Sequence, residues 1–410
     1  MSAEEIKKDV YWVGAIDWNI RDFHGYSTYR GTTYNAYLVK DEKVCLFDTV
    51  KSNFKKEMLY HIRQLIDPEQ IDYIVVNHVE LDHSGCLAEM IELCKPEKVF
   101  CSPMGLKAIE SHFHPTDWPL EVVKSGDSIS LGGKTVQFLE TKMLHWPDSM
   151  FSYIPEDKLL ISSDAFGQHL ASTERFADEL PEGAALHEAE KYYANILLIF
   201  SNNVQKLLAT VADLKLDIDM IAPDHGVIWR QNPGEILQAY DRWSRHTAER
   251  KAVIIYDSMW HSTEKMAKSI SAGLRSVGVH ARVLSAKSNH RSDIIVEMMS
   301  SKAVLVGSPT LNNGIMPTMA DVLTYAKGLR PRKKIGAAFG SFGWSGESVK
   351  ILTAFLEDMQ CEVVEPGVRI KNVPDDKALQ ECFDLGVRVG EAVNAALAVE
   401  AGGAAAASQG

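Results

Sequence analysis

An α/β protein of two successive units is what the sequence predicts, the second of them a doubly wound parallel sheet. Three observations carry this. The 410 residues exceed, at roughly 150 per domain, what one compact unit uses. Strand-like apolar runs alternate with helical patterns along most of the chain. From Ala252 onward the alternation becomes a regular rhythm of strand, loop and helix, the mark of parallel strands joined by crossover helices.

Residues 10–15, 34–39 and 44–50 read as short strands, the last two forming a hairpin across a polar turn. A helical pattern near 53–66 leads into Ile71-Asp-Tyr-Ile-Val-Val-Asn77, an apolar run of the kind that forms a strand covered on both faces. Helix and strand alternate to about residue 110. Residues 120–163 return to short strands with glycine-containing turns such as Leu131-Gly-Gly-Lys134, and 187–213 is a helical stretch. The charged segment Arg245-His-Thr-Ala-Glu-Arg-Lys251 marks a boundary, so residues 1–249 form the first unit and 250–398 the second. Within the second, strands are expected at 252–256, 280–285, 302–307, 334–339 and 361–366. Residues 399–410 carry no large side chain to bury and are expected to be a disordered Ala/Gly tail.

Composition narrows the function classes. Hydrophobic residues make up 46% and charged residues 24%, the balance of a globular protein with a large core, which excludes wholesale disorder. With 43 basic against 55 acidic residues the net charge is −12, which opposes attraction to nucleic acid or an anionic membrane. The densest basic run, Arg330-Pro-Arg-Lys-Lys334, reads as a solvated loop or a local docking patch. No stretch reaches eighteen uncharged apolar residues and the start is charged, so a cytoplasmic location is expected. The six cysteines (45, 86, 94, 101, 361 and 382) contain no Cys-x-x-Cys pair, which reads as reduced buried thiols and excludes a fused rubredoxin module or zinc ribbon.

Directly after the buried strand stands Asn77-His78-Val-Glu80-Leu-Asp82-His83-Ser-Gly85. His78, Glu80 and Asp82 alternate, so they converge on one side of an extended segment, and His83 turns in beside them. Such a pattern arises by accident in about one chain in a hundred of this composition. His145, Asp164 and His225 each end a further strand-like run, and strand ends share a rim. Four imidazoles and three carboxylates are too many donors for one tetrahedral zinc and suit two metals sharing a bridging carboxylate.

In the second unit three loops follow the first, third and fourth strands. They carry Ser258, Met259, Trp260, His261, Ser262 and Thr263; then Ser308, Pro309, Thr310, Leu311, Asn312, Asn313 and Gly314; then Ser341, Phe342, Gly343, Trp344, Ser345 and Gly346. Hydroxyls and backbone N–H groups at a helix start bind phosphate, and Trp260, Phe342 and Trp344 offer planar surfaces to an aromatic ring system. Three such loops at one sheet edge make a mononucleotide site. No strand is followed by Gly-x-Gly-x-x-Gly, so a built-in nicotinamide domain is not expected.

The first constellation resembles the metallo-β-lactamase superfamily, whose motif is His-x-His-x-Asp-His, except that Glu80 stands where the second histidine would be. A carboxylate there makes the site harder and more negative, favouring iron or manganese over zinc. His-x-Glu-x-Asp-His is the pattern of the flavodiiron proteins, and the three loops resemble the FMN site of flavodoxins. The resemblance covers about residues 5–395. It implies an N-terminal metallo-β-lactamase-like αββα domain followed by a flavodoxin-like domain, two non-haem iron ions and FMN. One iron would take His78, Glu80 and His145, the other Asp82, His83 and His225, with Asp164 bridging; the position of His83 is not always metal-bound in the family. The first loop would hold the FMN 5′-phosphate and the other two would flank the ring.

By the same resemblance the chain is an oxidoreductase that reduces dioxygen to water, with reduction of two nitric oxides to nitrous oxide as the alternative on the same site. Rubredoxin is the implied electron donor, and Arg330 to Lys334 a docking patch for it. Head-to-tail homodimers, or dimers of dimers, in which each FMN faces the partner's metals are implied as well. His24 and Tyr193 are candidate proton donors to the substrate pocket, and His169 a residue supporting the ligands. The competing readings are a dinuclear metallo-hydrolase, which Glu80 disfavours, and an electron carrier or gas sensor using FMN alone.

Overall fold

The structure is a computed structural model in which residues 2–407 are described. The chain forms two compact units, one built from the chain up to Tyr193 together with Phe200–Ser244, the other from Ala194–Ile199 together with the chain from Arg245 onward.

The first unit holds two sheets. The larger runs in the order Glu4–Lys7, Val10–Trp12, Tyr37–Val39, Cys45–Phe47, Tyr73–Val76, Lys98–Cys101 and Leu120–Val122. The smaller runs Ser128–Ser130, Thr135–Glu140, Met150–Ile154, Leu159–Ile161 and Met220–Ala222. Alternation along the strand Tyr73–Val76 divides its side chains between two cores. Val75 joins Trp12, Phe47, Phe100, Phe138, Met150 and Ile161 in one, whereas Ile74 and Val76 join Leu46, Ile62, Leu87, Met90 and Ile109 in the other. That is the strand covered on both faces which the apolar run 71–77 predicts.

The strands that precede the ligand segments have parallel partners, except Thr135–Glu140 before His145, which is antiparallel to both of its neighbours. Tyr73–Val76 runs parallel to Cys45–Phe47 and Lys98–Cys101, and Leu159–Ile161 parallel to Met220–Ala222. The expected hairpin is present as Tyr37–Val39 against Cys45–Phe47. Between the second and the seventh strand of the chain the backbone leaves the main sheet: Ala15–Asp17 pairs with Thr32–Tyr34, and a small hairpin, Asp22–Phe23 with Tyr26–Ser27, projects between them and carries His24.

The helical stretch expected over 187–213 is broken in the structure. It consists of α-helix Ala184–Tyr192, a π-turn over Tyr193–Leu197, a 3₁₀ turn at Leu198–Phe200 and α-helix Ser201–Asp213. The break coincides with the six residues that belong to the second unit, where Asn195 donates to the Ser292 carbonyl at 3.0 Å and accepts from the Tyr325 hydroxyl at 2.9 Å. Two hydrogen bonds, one buried and one partly buried, thus take precedence over a regular helix.

The second unit is a parallel sheet in the order His280–Ser285, Glu249–Tyr256, Ser301–Gly307, Ile335–Phe342, with the last strand in two pieces, Glu362–Val363 and Val368–Lys371, both paired with Ile335–Phe342. This is the 2-1-3-4-5 order of flavodoxin-like folds. Pro366, which has no N–H to give a ladder, lies in the gap of the single strand expected at 361–366. Gly340 is required by close approach, since a Cβ there would meet the Ser308 carbonyl oxygen at 2.3 Å. The last helix, Asp376–Ala407, continues into the stretch expected to be a tail, because alanine propagates a helix without needing burial. Residues 408–410 of that stretch lie outside the described residues.

Asn35 ties the two sheets of the first unit together beneath the rim. Fully buried, it accepts from Trp12 Nε1 at 2.8 Å and donates through Nδ2 to the Pro223 and Gly226 carbonyls at 2.7 and 3.1 Å. Asn35→Ala leaves these groups unpaired in the interior and should destabilise the metal-free protein by about 3 kcal/mol. Urea unfolding followed by tryptophan fluorescence measures this, and a loss under about 1 kcal/mol would contradict the assignment.

Candidate metal centre and flavin cavity

The seven predicted ligand residues come together at the rim of the first unit, in two groups: His78, Glu80, His145 and Asp164, and Asp82, His83 and His225. Asp164 stands between them. Its Oδ2 lies 3.3 Å from His78 Nε2 and 3.1 Å from His145 Nε2, while its Oδ1 lies 3.1 Å from His83 Nε2 and 3.4 Å from His225 Nε2. Glu80 Oε2 is 3.2 Å from His145 Nε2, and Asp82 Oδ2 is 3.2 Å from His225 Nε2 and 3.4 Å from His83 Nε2. His83 therefore faces the same centre as the other three histidines.

Local structure fixes which ring nitrogen each histidine presents. His78 Nδ1 faces Asp148 Oδ2 at 2.9 Å, an oxygen that also accepts from the Val79 N–H at 2.7 Å. His225 Nδ1 faces the Thr33 carbonyl at 2.7 Å. Both Nδ1 atoms therefore carry the hydrogen in a neutral ring, leaving the Nε2 lone pairs to point at the cluster. After Glu80 the short helix Leu81–Ser84 turns His83 back inward, and the Thr49 hydroxyl holds the His83 carbonyl at 2.7 Å.

These side chains are almost wholly buried, Asp164 and His83 at about 1% exposure. Both oxygens of Asp82 and of Asp164, and both ring nitrogens of His83, make no hydrogen bond among the described residues. Apart from the pairing of Glu80 Oε1 with His24, the acceptor atoms that three carboxylates and four imidazoles turn toward this centre have only one another for neighbours. A pair of cations would satisfy them, and the donor set of nitrogen and oxygen without sulfur suits iron or manganese.

Protonation shows the same strain. Burial alone would push the carboxylates up and the imidazoles down. Against it, His145 holds Glu80 below its ordinary value, His83 and His225 hold Asp82 down, and His83 and His145 hold Asp164 far down. Reciprocally, burial lowers the imidazoles, but Asp148 and Glu80 keep His78 well above its ordinary value, Asp82 and Asp164 do so for His83, and Asp164 and Glu80 lift His145 to about 9. His169 differs: burial and the neighbouring His225 hold it well below the ordinary value, so it is neutral.

Some supporting residues had no clear sequence signal. Asp148 follows His145 by three positions, the only hint of its role. Asp48 accepts from the Asn77 N–H at 2.8 Å and from its amide at 2.7 Å, bracing the start of the ligand segment. The predicted proton donors separate. His24 Nε2 lies 2.8 Å from Glu80 Oε1 with its side chain 67% exposed, at the open side of the cluster. Tyr193 does not face the cluster: its ring packs on Tyr240 and Trp243 and its hydroxyl bonds Ser201 Oγ at 3.1 Å. The preceding residue, Tyr192, is the one whose ring lies beside His169 and His225, at 5.1 and 6.0 Å, because the helix turns 100° per residue and the π-turn begins at Tyr193.

The second unit has a cavity of about 780 Å³ at the carboxyl ends of its strands. Thirteen of the residues predicted for flavin line it, among them Trp260 and Trp344, which are 84% and 90% exposed, together with Asn372 and Val373, which the sequence reading lacks. Ser258, His261, Thr263, Ser308, Gly314 and Gly346 do not line it. Thr263 instead links the first loop to the third through Ser341 Oγ at 3.1 Å, and Ser308 Oγ accepts from the Met316 N–H at 3.0 Å. The cavity size and the flanking aromatic planes fit a flavin mononucleotide. The basic run lies elsewhere. Lys334 is buried, donating to the Met299 and Ser301 carbonyls at 2.7 and 2.6 Å, with burial pushing it down to about 7. The eight-residue strand Ile335–Phe342 puts the run roughly 25 Å from the cavity end.

Residues 32–226 match the family described as ODP family beta lactamase, and residues 254–386 the flavodoxin family. The chain superposes with a TM-score of 0.95 on rubredoxin oxygen:oxidoreductase from Desulfovibrio gigas, at 48% identity over 97% of this chain and 100% of that one. The flavodiiron protein from Giardia intestinalis superposes with a TM-score of 0.93 at 34% identity, over 97% of this chain and 98% of that one. The chain belongs to the flavodiiron family. A relative from Moorella thermoacetica named nitric oxide reductase is 46% identical over 94% of this chain and 97% of its own length. The flavodiiron architecture accounts for the two units, a lactamase-like fold bearing the ligand cluster and a flavodoxin fold bearing the cavity.

Two outcomes follow for the metal cluster. Because His145 keeps its proton to about pH 9 in the metal-free protein, metal uptake at pH 7 should release at least one proton per chain and weaken as pH falls. Anaerobic ferrous titration in dilute indicator buffer reads this, and uptake without proton release would refute it. Asp148→Asn should lower metal affinity about 10- to 100-fold, since it loosens the orientation of His78, and should also lower the melting temperature of the metal-free protein, which loses the buried charge partner of that imidazole. An affinity within twofold of wild type would remove Asp148 from this role.

Proposed function

We propose that this flavodiiron chain takes two iron ions at the His78 to His225 cluster and one FMN in the second unit, and reduces dioxygen to water. The observation that carries the reading is the division of Asp164, one oxygen to each group of ligands, in a chain that also has a flavin-sized cavity. A pair of ferrous ions would supply one electron apiece and a reduced flavin two, together the four that dioxygen requires. One group would be held by His78, Glu80 and His145, the other by Asp82, His83 and His225, with Asp164 common to both.

The protein's own residues supply orientation, exclusion of water and protons. Asp148 and Thr33 hold the imidazoles in register. Phe23, whose ring lies 4.4 Å from that of His24 and 5.0 Å from that of His169, covers one side of the cluster with an apolar surface. His24 holds a proton at Nε2 against Glu80 and, being open to solvent, can exchange it. Tyr192, rather than Tyr193, is placed to border the substrate space.

Electrons would come from a rubredoxin or a similar small donor, docking near the exposed Trp260 and Trp344 rather than at Arg330 to Lys334, which lie at the far end of the sheet. A head-to-tail homodimer in which the flavin of one copy serves the metals of the other completes the reading, on the family resemblance, as does a cytoplasmic location. Among the described residues no helix is long and apolar enough to cross a membrane. Reduction of nitric oxide is the second reading, favoured by the Moorella relative's name.

Anaerobically photoreduced protein mixed with limiting dioxygen or nitric oxide tests the proposal. Consumption of four electrons per dioxygen without hydrogen peroxide is the expected result. Two electrons with release of peroxide would refute it, and a rate with nitric oxide more than tenfold higher would decide for the second reading.

A further inference from the structure

The first flavin loop begins on an ion pair between a buried carboxylate and a half-exposed lysine, the lysine coming from a loop that does not line the cavity. Strand Glu249–Tyr256 ends at Asp257, whose side chain is fully buried. Its Oδ1 accepts from the Ser258 N–H at 2.5 Å and from Lys287 Nζ at 2.9 Å, and its Oδ2 accepts from the Thr318 hydroxyl. Lys287 Nζ also donates to the Ser258 carbonyl at 2.8 Å. Both backbone polar groups of the loop's first residue are therefore held, the N–H by Asp257 and the C=O by Lys287. Lys287 follows the strand His280–Ser285, and Thr318 stands in the first turn of the helix Pro317–Leu329, after the second flavin loop. One carboxylate thus joins three segments of the sheet edge.

The charge arrangement has a consequence. A carboxylate buried directly behind a loop that accepts a phosphate repels the ligand unless a cation offsets it, and Lys287 is the cation in contact. Ser258, the residue so held, stands just before the cavity-lining Met259 and Trp260 and carries a buried Oγ that has no hydrogen-bond partner among the described residues.

We propose that Lys287 and Asp257 are positioning residues for the 5′-phosphate of FMN: the pair sets the start of the phosphate loop, and Lys287 cancels the charge that would otherwise weaken binding of the dianion. This rests on the FMN reading above. The pair acts on the phosphate end of the ligand and leaves the ring contacts of Trp260 and Trp344 untouched.

The test compares FMN with riboflavin, which shares the ring and lacks the phosphate. Flavin is removed from the full-length protein, and each flavin is titrated back by fluorescence quenching. Lys287 is about half exposed, so its variants should fold. Lys287→Met should raise the Kd for FMN at least fivefold and change that for riboflavin less than twofold. Asp257→Asn combined with Lys287→Met should recover a substantial part of the lost FMN affinity, because the uncompensated charge is gone, and Lys287→Arg should stay near wild type. An unchanged FMN affinity, a parallel rise for both flavins, or a double variant no better than Lys287→Met overturns the proposal. A wild-type protein that binds neither flavin overturns the FMN reading itself, and this inference with it.

Discussion

Asp164 has to serve two groups of side chains at once. It is buried to about 1% exposure, and each of its oxygens lies within 3.4 Å of two imidazole nitrogens. A carboxylate in that position is tenable only when positive charge stands on both sides of it. In the metal-free protein protons on the histidines supply that charge, which is why His78, His83 and His145 hold them so firmly. A pair of cations supplies it without the proton, and the rest of the N-terminal unit can be understood as the frame that keeps the seven donors from relaxing apart.

The frame works through strand ends. Strands with parallel partners deliver three of the ligand segments to one rim and the antiparallel strand Thr135–Glu140 leads to His145, while Asn35 and Asp148 brace them by hydrogen bonds that reach across the chain. The same logic recurs in the flavodoxin-like unit. Its loops leave the carboxyl ends of parallel strands, and a buried carboxylate, Asp257, gathers them from behind. In one unit the carboxylate stands among imidazoles; in the other it is offset by Lys287.

Fold class and the residues that cluster at the rim are readable from the chain because each has a short-range signature. The apolar run before His78 encodes a two-faced strand, and the spacing of His78, Glu80, Asp82 and His83 places four donors in the six residues that leave its end. What the chain did not disclose depends on long-range geometry. Asp148 looks like any acid in a loop until the fold brings it to His78. Tyr192 and Tyr193 are indistinguishable by type, and the π-turn that decides between them arises because Asn195 is anchored among residues of the second unit. The basic run at 330–334 is conspicuous in sequence, yet strand direction puts it at the wrong end of the sheet to serve the flavin, and burial removes Lys334 from the surface altogether.

Calorimetric titration of the metal-free protein with ferrous ion under anaerobic conditions, wild type against Asp164→Ala, addresses the shared carboxylate most directly. The account predicts two ions per chain in the wild type and a loss of affinity at both sites from the single substitution. One ion per chain, or a variant in which one site keeps its wild-type affinity, would contradict it.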